Sequence, residues 1–435
     1  MSRPRPRGFA SKPLAAAIVA GLLIANPAVA TTRTVTSCTD NGIGTLRLAI
    51  SASASGDTVD MTALRCAGPI ALNGTELPIT VNALTIQGPG SDLLTIDAGS
   101  QSRILRHDGT GSLFLSGLTF AHGSIAGSGN QDGGCVRSNG SVSATDTVLS
   151  NCKADSANGA ARGGAVFASG NVALVRSRVT ASRAHSHTVA AGGGVWVHGD
   201  LNCKYSTIDA NIAAADDPPE FYTAQSDDGG LFVGGGGEVR GSTISGNKAM
   251  YVGGGEFGVL GGTIDIVNST ISGNEAGVRI GGLSLGSATL SNSTVAFNHE
   301  YTKYASGVLA RPDGNLELQS TIIAMNTADS ESTGIDFRRG SSATVTGSHN
   351  LIRTSIGALP ADTLRGDPLL AALADNGGAT MTHAITQLSP ALDAGNNAVP
   401  LINDQRGTGF RRVAGMAADI GAYEFDDTIF ADGFD

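Results

Sequence analysis

The chain has 435 residues, 61 of them glycine, with 15 % charged and 5 % aromatic side chains. Its formal charge of −10 makes an acidic surface that repels nucleic acid and anionic lipid, so neither is an expected partner. Low charge excludes long solvated helices, and 41 % hydrophobic content in short runs excludes a disordered chain, which leaves an all-β fold with many turns.

Residues 1–30 read as a secretory signal peptide and are set apart from the fold. Arg3, Arg5, Arg7 and Lys12 precede a twelve-residue apolar run, Leu14 to Ala25. Asn26-Pro27 breaks that run, and Ala28-Val29-Ala30 offers the small residues that a signal peptidase selects, so the mature chain is expected to start at Thr31. The run is shorter than the roughly 20 residues that span a bilayer, and no later segment is long and apolar enough. The expectation is therefore an exported chain without a membrane span, extracellular or at the outer cell surface. Without its four leading basic residues the count of Lys and Arg falls from 28 to 24, against 38 Asp and Glu.

Residues 31–69 read as an N-terminal cap. Gly44 to Ala54 has helical spacing, with Leu46, Ala49, Ile50 and Ala54 on one face, as a lid over the unpaired edge of a first coil. The five cysteines of an exported chain are disulfide candidates. Cys38 and Cys66 flank this segment and are expected to pair. Cys135 and Cys152 lie in neighbouring parts of one repeat and are the next pair, leaving Cys203 free, although geometry decides among these three.

Residues 70–352 repeat. Ser206-Thr207-Ile208, Ser242-Thr243-Ile244, Ser269-Thr270-Ile271, Ser293-Thr294-Val295 and Ser320-Thr321-Ile322 share one phrase, with weaker copies at Thr147-Val148 and Ser177-Arg178-Val179. The steps between copies vary from 24 to 36 residues, which suits a coil whose turns accept insertions. After the phrase comes an Asn (Asn151, Asn211, Asn247, Asn274, Asn298 or Asn326), then a variable loop. A Gly-rich start to a second strand follows, as in Gly163-Gly164-Ala165 and Gly192-Gly193-Gly194, and then a third alternating strand such as Thr263 to Ile266.

Three short strands per period predict an all-β, right-handed parallel β-helix, a three-sided solenoid of roughly ten coils on the order of 50 Å long. One period cannot bury its Ile, Val and Leu alone, but stacked periods make a continuous core. The asparagines are expected to stack at one corner and the glycines to fill the adjoining bend. Residues 353–425 lose the repeat and read as an irregular C-terminal cap, with residues 426–435 as an acidic, aromatic tail.

Two sets of residues carry a resemblance. Asp40 to Ile50, with Gly56-Asp57-Thr58-Val59, resembles the N-terminal cap of exported β-helix repeat proteins. Asp367-Pro368-Leu369-Leu370, Leu373 to Gly378, Ser389 to Gly395, Asp404-Gln405-Arg406-Gly407 and Asp419 to Glu424 occur in order. That series is similar to the choice-of-anchor Q domain that ends bacterial surface β-helices. The resemblance covers nearly all of the chain after residue 30 and implies a pectin-lyase-like fold and a surface or secreted location. It implies no settled activity. The end Asp427 to Asp435 looks like the sorting tail that such proteins carry.

No catalytic string of pectate lyases or polygalacturonases is present. The variable loop after the Asn corner gathers the polar and aromatic groups that the strands lack: Asp216, Asp217, Glu220, Tyr222, Asp227 and Asp228, then Lys248 and Tyr251, then Arg279, then Tyr301, Lys303 and Tyr304. Stacking is expected to line these along one edge, where a polysaccharide or surface glycan binds if the edge is more than a solvated rim. A polysaccharide lyase or glycoside hydrolase using that edge is the alternative. No cofactor is expected. Ca²⁺ on Asp216, Asp217, Asp227 and Asp228 is the one candidate, on a spacing that matches no EF-hand loop. His185, His187 and His198 read as surface histidines before zinc ligands. Asp404 or Asp419 is expected to pair with Arg406 inside the cap. The chain is expected to act as a monomer.

Overall fold

The Ser-Thr-Ile phrases are strands, and they stack. Thr207, Ile208 and Asp209 pair in parallel with Thr243, Ile244 and Ser245, which pair in turn with Thr270, Ile271 and Ser272. The computed structural model describes residues 1–2, 30–215, 225–329 and 334–426. Nearly all of the expected signal peptide and of the acidic tail lie outside these residues, as do Asp216, Asp217, Glu220 and Tyr222. Among the described residues there are 46 short strands and one helix, and the ladders between strands are parallel.

Three long sheets wall a right-handed coil. Sheet A has 12 strands, from Thr32–Thr34 to Thr344–Ser348. Sheet B has 11, from Ile70–Ala71 to Leu351–Ile352, and sheet C has 11, from Leu77–Ile79 to Ser355–Ile356. Alternation sends Ile208, Ile244, Ile271, Val295 and Ile323 of sheet B inward, where none is exposed. They join Leu174, Val239 and Leu290 of sheet A and Val195, Leu231 and Leu283 of sheet C in one continuous core.

Both corners flanking sheet B are polar ladders. Between sheets A and B a left-handed residue (Arg176, Tyr205, Gly241, Asn268 or Asn292, φ 47 to 59°) precedes a buried serine. Ser177 N donates to Ser206 Oγ, Ser206 N to Ser242 Oγ, Ser242 N to Ser269 Oγ and Ser269 N to Ser293 Oγ, at 3.0 to 3.2 Å. Beyond sheet B, the amides of Asn211, Asn247, Asn274, Asn298 and Asn326 bond up the column at 2.8 to 3.0 Å. Asp336 ends it, accepting from Asn326 Nδ2 at 2.8 Å.

Asn151 is not in that column. Ser150 aligns with Thr180 and Asp209, which puts Cys152 and Ser182 at the ladder position below Asn211. Asn151 lies one residue earlier, exposed, at the left-handed position it shares with Ala181, Ala210, Gly246 and Gly273 (φ 51 to 64°). Glycine recurs at the start of sheet C for two reasons. Gly163 and Gly192 take φ of 64 and 62°, while a Cβ on Gly164 would lie 2.1 Å from the carbonyl oxygen of Gly193.

The segment expected to be a variable loop is itself two stacked ladders. Sheet D has 8 strands, from Ser124–Gly127 to Thr327–Ala328, and sheet E has 4, from Gln131–Asp132 to Gln225–Ser226. Ala154, Ala161, Ala184, Ala190, Ala213 and Ala249 pack between them as a small dry core, making a fin that projects from the rod. Alanine alternating with serine or arginine carries too little hydrophobic contrast to read as a strand from sequence.

At the N-terminus the helix runs Leu46–Ser51, capped by the Thr45 side chain at Leu48 N, with Leu46 and Ile50 buried over the first coil. It is shorter than its periodicity predicts, and Ala54 is exposed beyond it, its N–H held by Asp57 at 2.9 Å. Cys38–Cys66 and Cys135–Cys152 are disulfides, and Cys203 is a buried thiol.

The C-terminal segment does two different things. Leu364 N donates to Asn350 O and Ile352 N to Leu364 O, so this part closes the last coil. The remainder turns back along the outside of sheet B as a strap. Thr243 Oγ1 donates to Met381 O at 2.7 Å, Thr270 Oγ1 to Gln405 Oε1 at 2.6 Å, and Ala422 N to Thr294 Oγ1 at 3.1 Å. The outward residues Thr243, Thr270, Thr294 and Ile322 are uncharged and at most 2 % exposed, and the strap bonds to the three threonine hydroxyls that it buries. Inside the strap Arg406 pairs with Asp404 at 2.6 Å, between the rings of Phe410 and Tyr423. Asp419 instead accepts the N–H groups of Asp393 and Phe425, and a second buried pair, Arg412 to Glu424 at 2.7 Å, had no signal in the sequence beyond its charges.

Candidate functional site

The parallel register places the expected edge residues in columns on the fin side of the rod. Lys248, Glu275, His299 and Thr327 align on sheet D. One-residue bridges align Asp228, Val252, Ile280 and Ala305, so the preceding residues Asp227, Tyr251, Arg279 and Tyr304 form a second column. The groups in these columns are engaged with each other. Lys248 Nζ lies 2.5 Å from Glu275, the Tyr301 hydroxyl donates to Glu275 at 2.6 Å, and the Tyr301 ring packs edge-on against His299. The guanidinium of Arg279 lies over Tyr251 at 5.8 Å and that of Arg338 over Tyr304 at 4.3 Å. Lys303 adjoins them at a left-handed position, φ 60°. One face of each of these two tyrosines is therefore occupied by a cation, which a stacking sugar would have to displace.

Behind this edge sits a buried acid. Asp228 is inaccessible to solvent, and neither carboxyl oxygen has a hydrogen-bond partner among the described residues. Burial, then the nearby Glu256 and Asp227, push its pKa well up against the pull of Arg311, which favours the protonated form. Burial and Glu256 also raise Asp227. Glu256 itself accepts from Arg311 at 2.7 Å and from Ser284 at 3.0 Å. Among the described residues no three His, Cys, Asp or Glu converge as a cation site. His185 bonds Asp155 at 2.9 Å and packs against His187, while His198 lies against Trp196.

Two further surfaces were not singled out by sequence. On the outside of sheet C, Phe167, Trp196 and Phe232 align and stack with ring centroids 4.7 and 5.2 Å apart, planes within 6°. Arg162 caps the first two rings and is held by both oxygens of Asp132. The ring faces are spent on one another, so this is a structural ladder along the rod. The signal was present as one aromatic two or three residues after each glycine pair, but the unequal steps of 29 and 36 residues hide it.

The other surface is a groove of about 540 Å³ on the outside of sheet A. Its floor is one aligned column, Phe114, Ser143, Ala173, Asn202 and Glu238. Phe114 is 46 % exposed at one end. Small side chains follow, Asn202 is exposed next to Glu238, and Ser141, Asn171 and Asp200 line one side. Asn171 and Asp200 are oriented by their neighbours: Asp200 N donates to Asn171 Oδ1, and Asp200 Oδ1 accepts from Gly236 N, each at 2.9 Å. At the far end burial raises the pKa of Glu238, but bonds from Lys204 and Arg240 at 2.8 and 2.5 Å outweigh it and hold the carboxyl below its ordinary value. Four steps of about 4.8 Å make this floor ~19 Å long.

Two smaller clefts of about 470 and 500 Å³ flank Tyr205 where the strap meets the rod. The arginines on their rod side, Arg176, Arg178 and Arg240, are each paired with an acid.

Geometry defines the class: a parallel β-solenoid with a fin, a strap and an open flank groove. No family model, curated protein or solved structure matches the chain. Among the described residues no helix is long and apolar enough to cross a membrane.

Proposed function

We propose that this chain is an exported, non-enzymatic glycan-binding solenoid, and that the glycan lies along the sheet A groove rather than on the fin edge. The observation that carries the reading is the aligned floor from Phe114 to Glu238. An exposed ring packs the C–H face of a sugar, small side chains let a chain lie flat, and Asn202, Asn171 and Asp200 supply oriented hydrogen-bonding groups. The fin edge has the right residue types, but its rings and charges already satisfy one another. The resemblance to choice-of-anchor Q proteins of the pectin-lyase-like superfamily belongs to this reading, with its surface or secreted location. Two disulfides support an oxidising compartment. Residues 1–30 are the export signal.

Glycan-array binding, measured for the protein and two variants, tests the site. Phe114→Ala is expected to lower the signal at least tenfold, and Tyr251→Ala, Tyr301→Ala and Tyr304→Ala together to leave it unchanged. The opposite pattern returns the site to the fin edge, and no binding by the unaltered protein refutes the reading.

A second reading, a polysaccharide lyase or glycoside hydrolase, is favoured by one observation. Asp228 is an unpartnered acid among the described residues, with its pKa raised by burial and by Glu256, and two carboxyl groups in unlike environments are what acid catalysis uses. Incubation with pectin, alginate and glycosaminoglycans, with and without Ca²⁺, tests it. Product formation abolished in Asp228→Asn supports the enzyme, and absence of product counts against it.

A further inference from the structure

Asp57, at the corner that leads into the second rung of sheet A, is a buried carboxylate that accepts four hydrogen bonds. It is 1 % exposed. Oδ1 accepts from the Thr31 backbone N at 2.8 Å and from Thr31 Oγ1 at 2.7 Å. Oδ2 accepts from Ala54 N at 2.9 Å and from Arg33 Nε at 3.0 Å. Arg33, on the first strand, is the charged partner at this carboxylate, and the helix side contributes the Ala54 amide. Thr31 cannot drift from the site, because its own carbonyl accepts from Thr58 N at 2.9 Å and the next three residues, Thr32–Thr34, pair with Thr58–Asp60.

Thr31 is also the residue that follows Ala28-Val29-Ala30, the small-residue sequence read as a cleavage site, and Ala30 is exposed. We propose that hydrolysis of the Ala30–Thr31 peptide bond creates an α-ammonium group that ion-pairs with Asp57 and locks the first rung. Water adds across the bond under a signal peptidase: Ala30 leaves as a carboxylate, and the Thr31 nitrogen takes up protons and becomes cationic. An amide donor 2.8 Å from a buried carboxylate thereby becomes a charge-assisted one, beside the N-terminal edge strand of sheet A, which has a neighbour on one side alone. Processing then completes the N-terminal cap as well as releasing the chain.

This inference takes the export of the chain from the proposed function, and the two are tested apart. The intact mass and N-terminal sequence of the exported protein are expected to give Thr31 as the first residue, and any other start overturns the assignment of the cut. The ion pair is tested on protein prepared to begin at Thr31, by following the pH dependence of α-amine acylation by mass spectrometry. An α-amine ordinarily titrates near 8, and an opposite charge in contact is expected to raise this by about one pH unit or more. Asp57→Asn should return it to the ordinary value. An amine that titrates normally, or that is unmoved by Asp57→Asn, overturns the pair. Protein that retains Ala30, with Asp57 intact, gives a readout independent of that variant. It should melt below protein that starts at Thr31, with the gap closing at pH values above the amine's pKa, and equal melting at all pH values overturns the lock.

Discussion

Replacing Asn274 by Ala removes four hydrogen bonds from a place with no solvent. The Asn274 side chain accepts from Asn247 N at 3.0 Å and Asn247 Nδ2 at 2.9 Å, and donates to Ile244 O at 3.0 Å and Asn298 Oδ1 at 2.8 Å. Two of the groups left behind keep another partner: Asn247 Nδ2 still reaches Ile208 O, and Asn298 Oδ1 still accepts from Asn274 N. The backbone N–H of Asn247 loses its side-chain acceptor, and a buried unpaired group costs about 1–3 kcal/mol. With the three weaker losses added, the expected destabilisation is about 3–5 kcal/mol. Asn151→Ala is the control. Asn151 is exposed at φ 55°, a conformation that Ala181 and Ala210 also adopt, so the change should cost no more than about 1 kcal/mol. Urea unfolding followed by the fluorescence of Trp196, the single tryptophan, measures both. Equal costs for Asn274→Ala and Asn151→Ala would refute the claim that the buried column, rather than the asparagine as a turn former, holds the corner.

Asp228 yields a pH dependence. Its folded pKa lies above the unfolded value, so the folded state holds the proton more tightly, and stability falls as pH rises from about 4 toward the folded pKa. Asp228→Asn should abolish that slope, and parallel stability curves for the two proteins would contradict the burial argument. Burial pushes the Cys203 thiol up to about 12, with Ser242 and Ser206 opposing, so it should resist thiol reagents at pH 8 until the chain unfolds. Labelling of the native protein, counted by mass, is the contrary result. Removing the Cys135–Cys152 bridge with paired alanines opens a loop of 17 residues and should cost about 3 kcal/mol in urea unfolding, and a loss under 1 would mean the chain is already constrained there.

The solenoid was legible because its strands carry contrast. Ile208, Ile244 and Ile271 recur after a hydroxyl pair, and Leu46 and Ile50 show a helix turn apart. Contrast is also what the fin lacks, since the inward residues are alanines such as Ala184 and Ala213, too weakly hydrophobic to mark a buried face, and Ala213 stands between Ile212 and Ala214. The strap was legible as a set of motifs but not as a placement. Nothing in Asp404-Gln405-Arg406 indicates that Gln405 reaches Thr243 and Thr270, more than 130 residues earlier. Asn151 misled because a left-handed bend and a buried amide both favour asparagine, and only the register separates the two roles. At the candidate site, residue type pointed to the tyrosines, whereas Phe114 and Asn202 stand out only once four coils are aligned.

The strap is synthesised after the coils that it covers. Until it arrives, sheet B presents an uncovered stripe from Thr243 to Ile322, so a growing or truncated chain exposes a flat surface suited to sticking to its own copies. Synthesis from the N-terminus would let the rod wind in order and leave that stripe to be sealed in a single closing step.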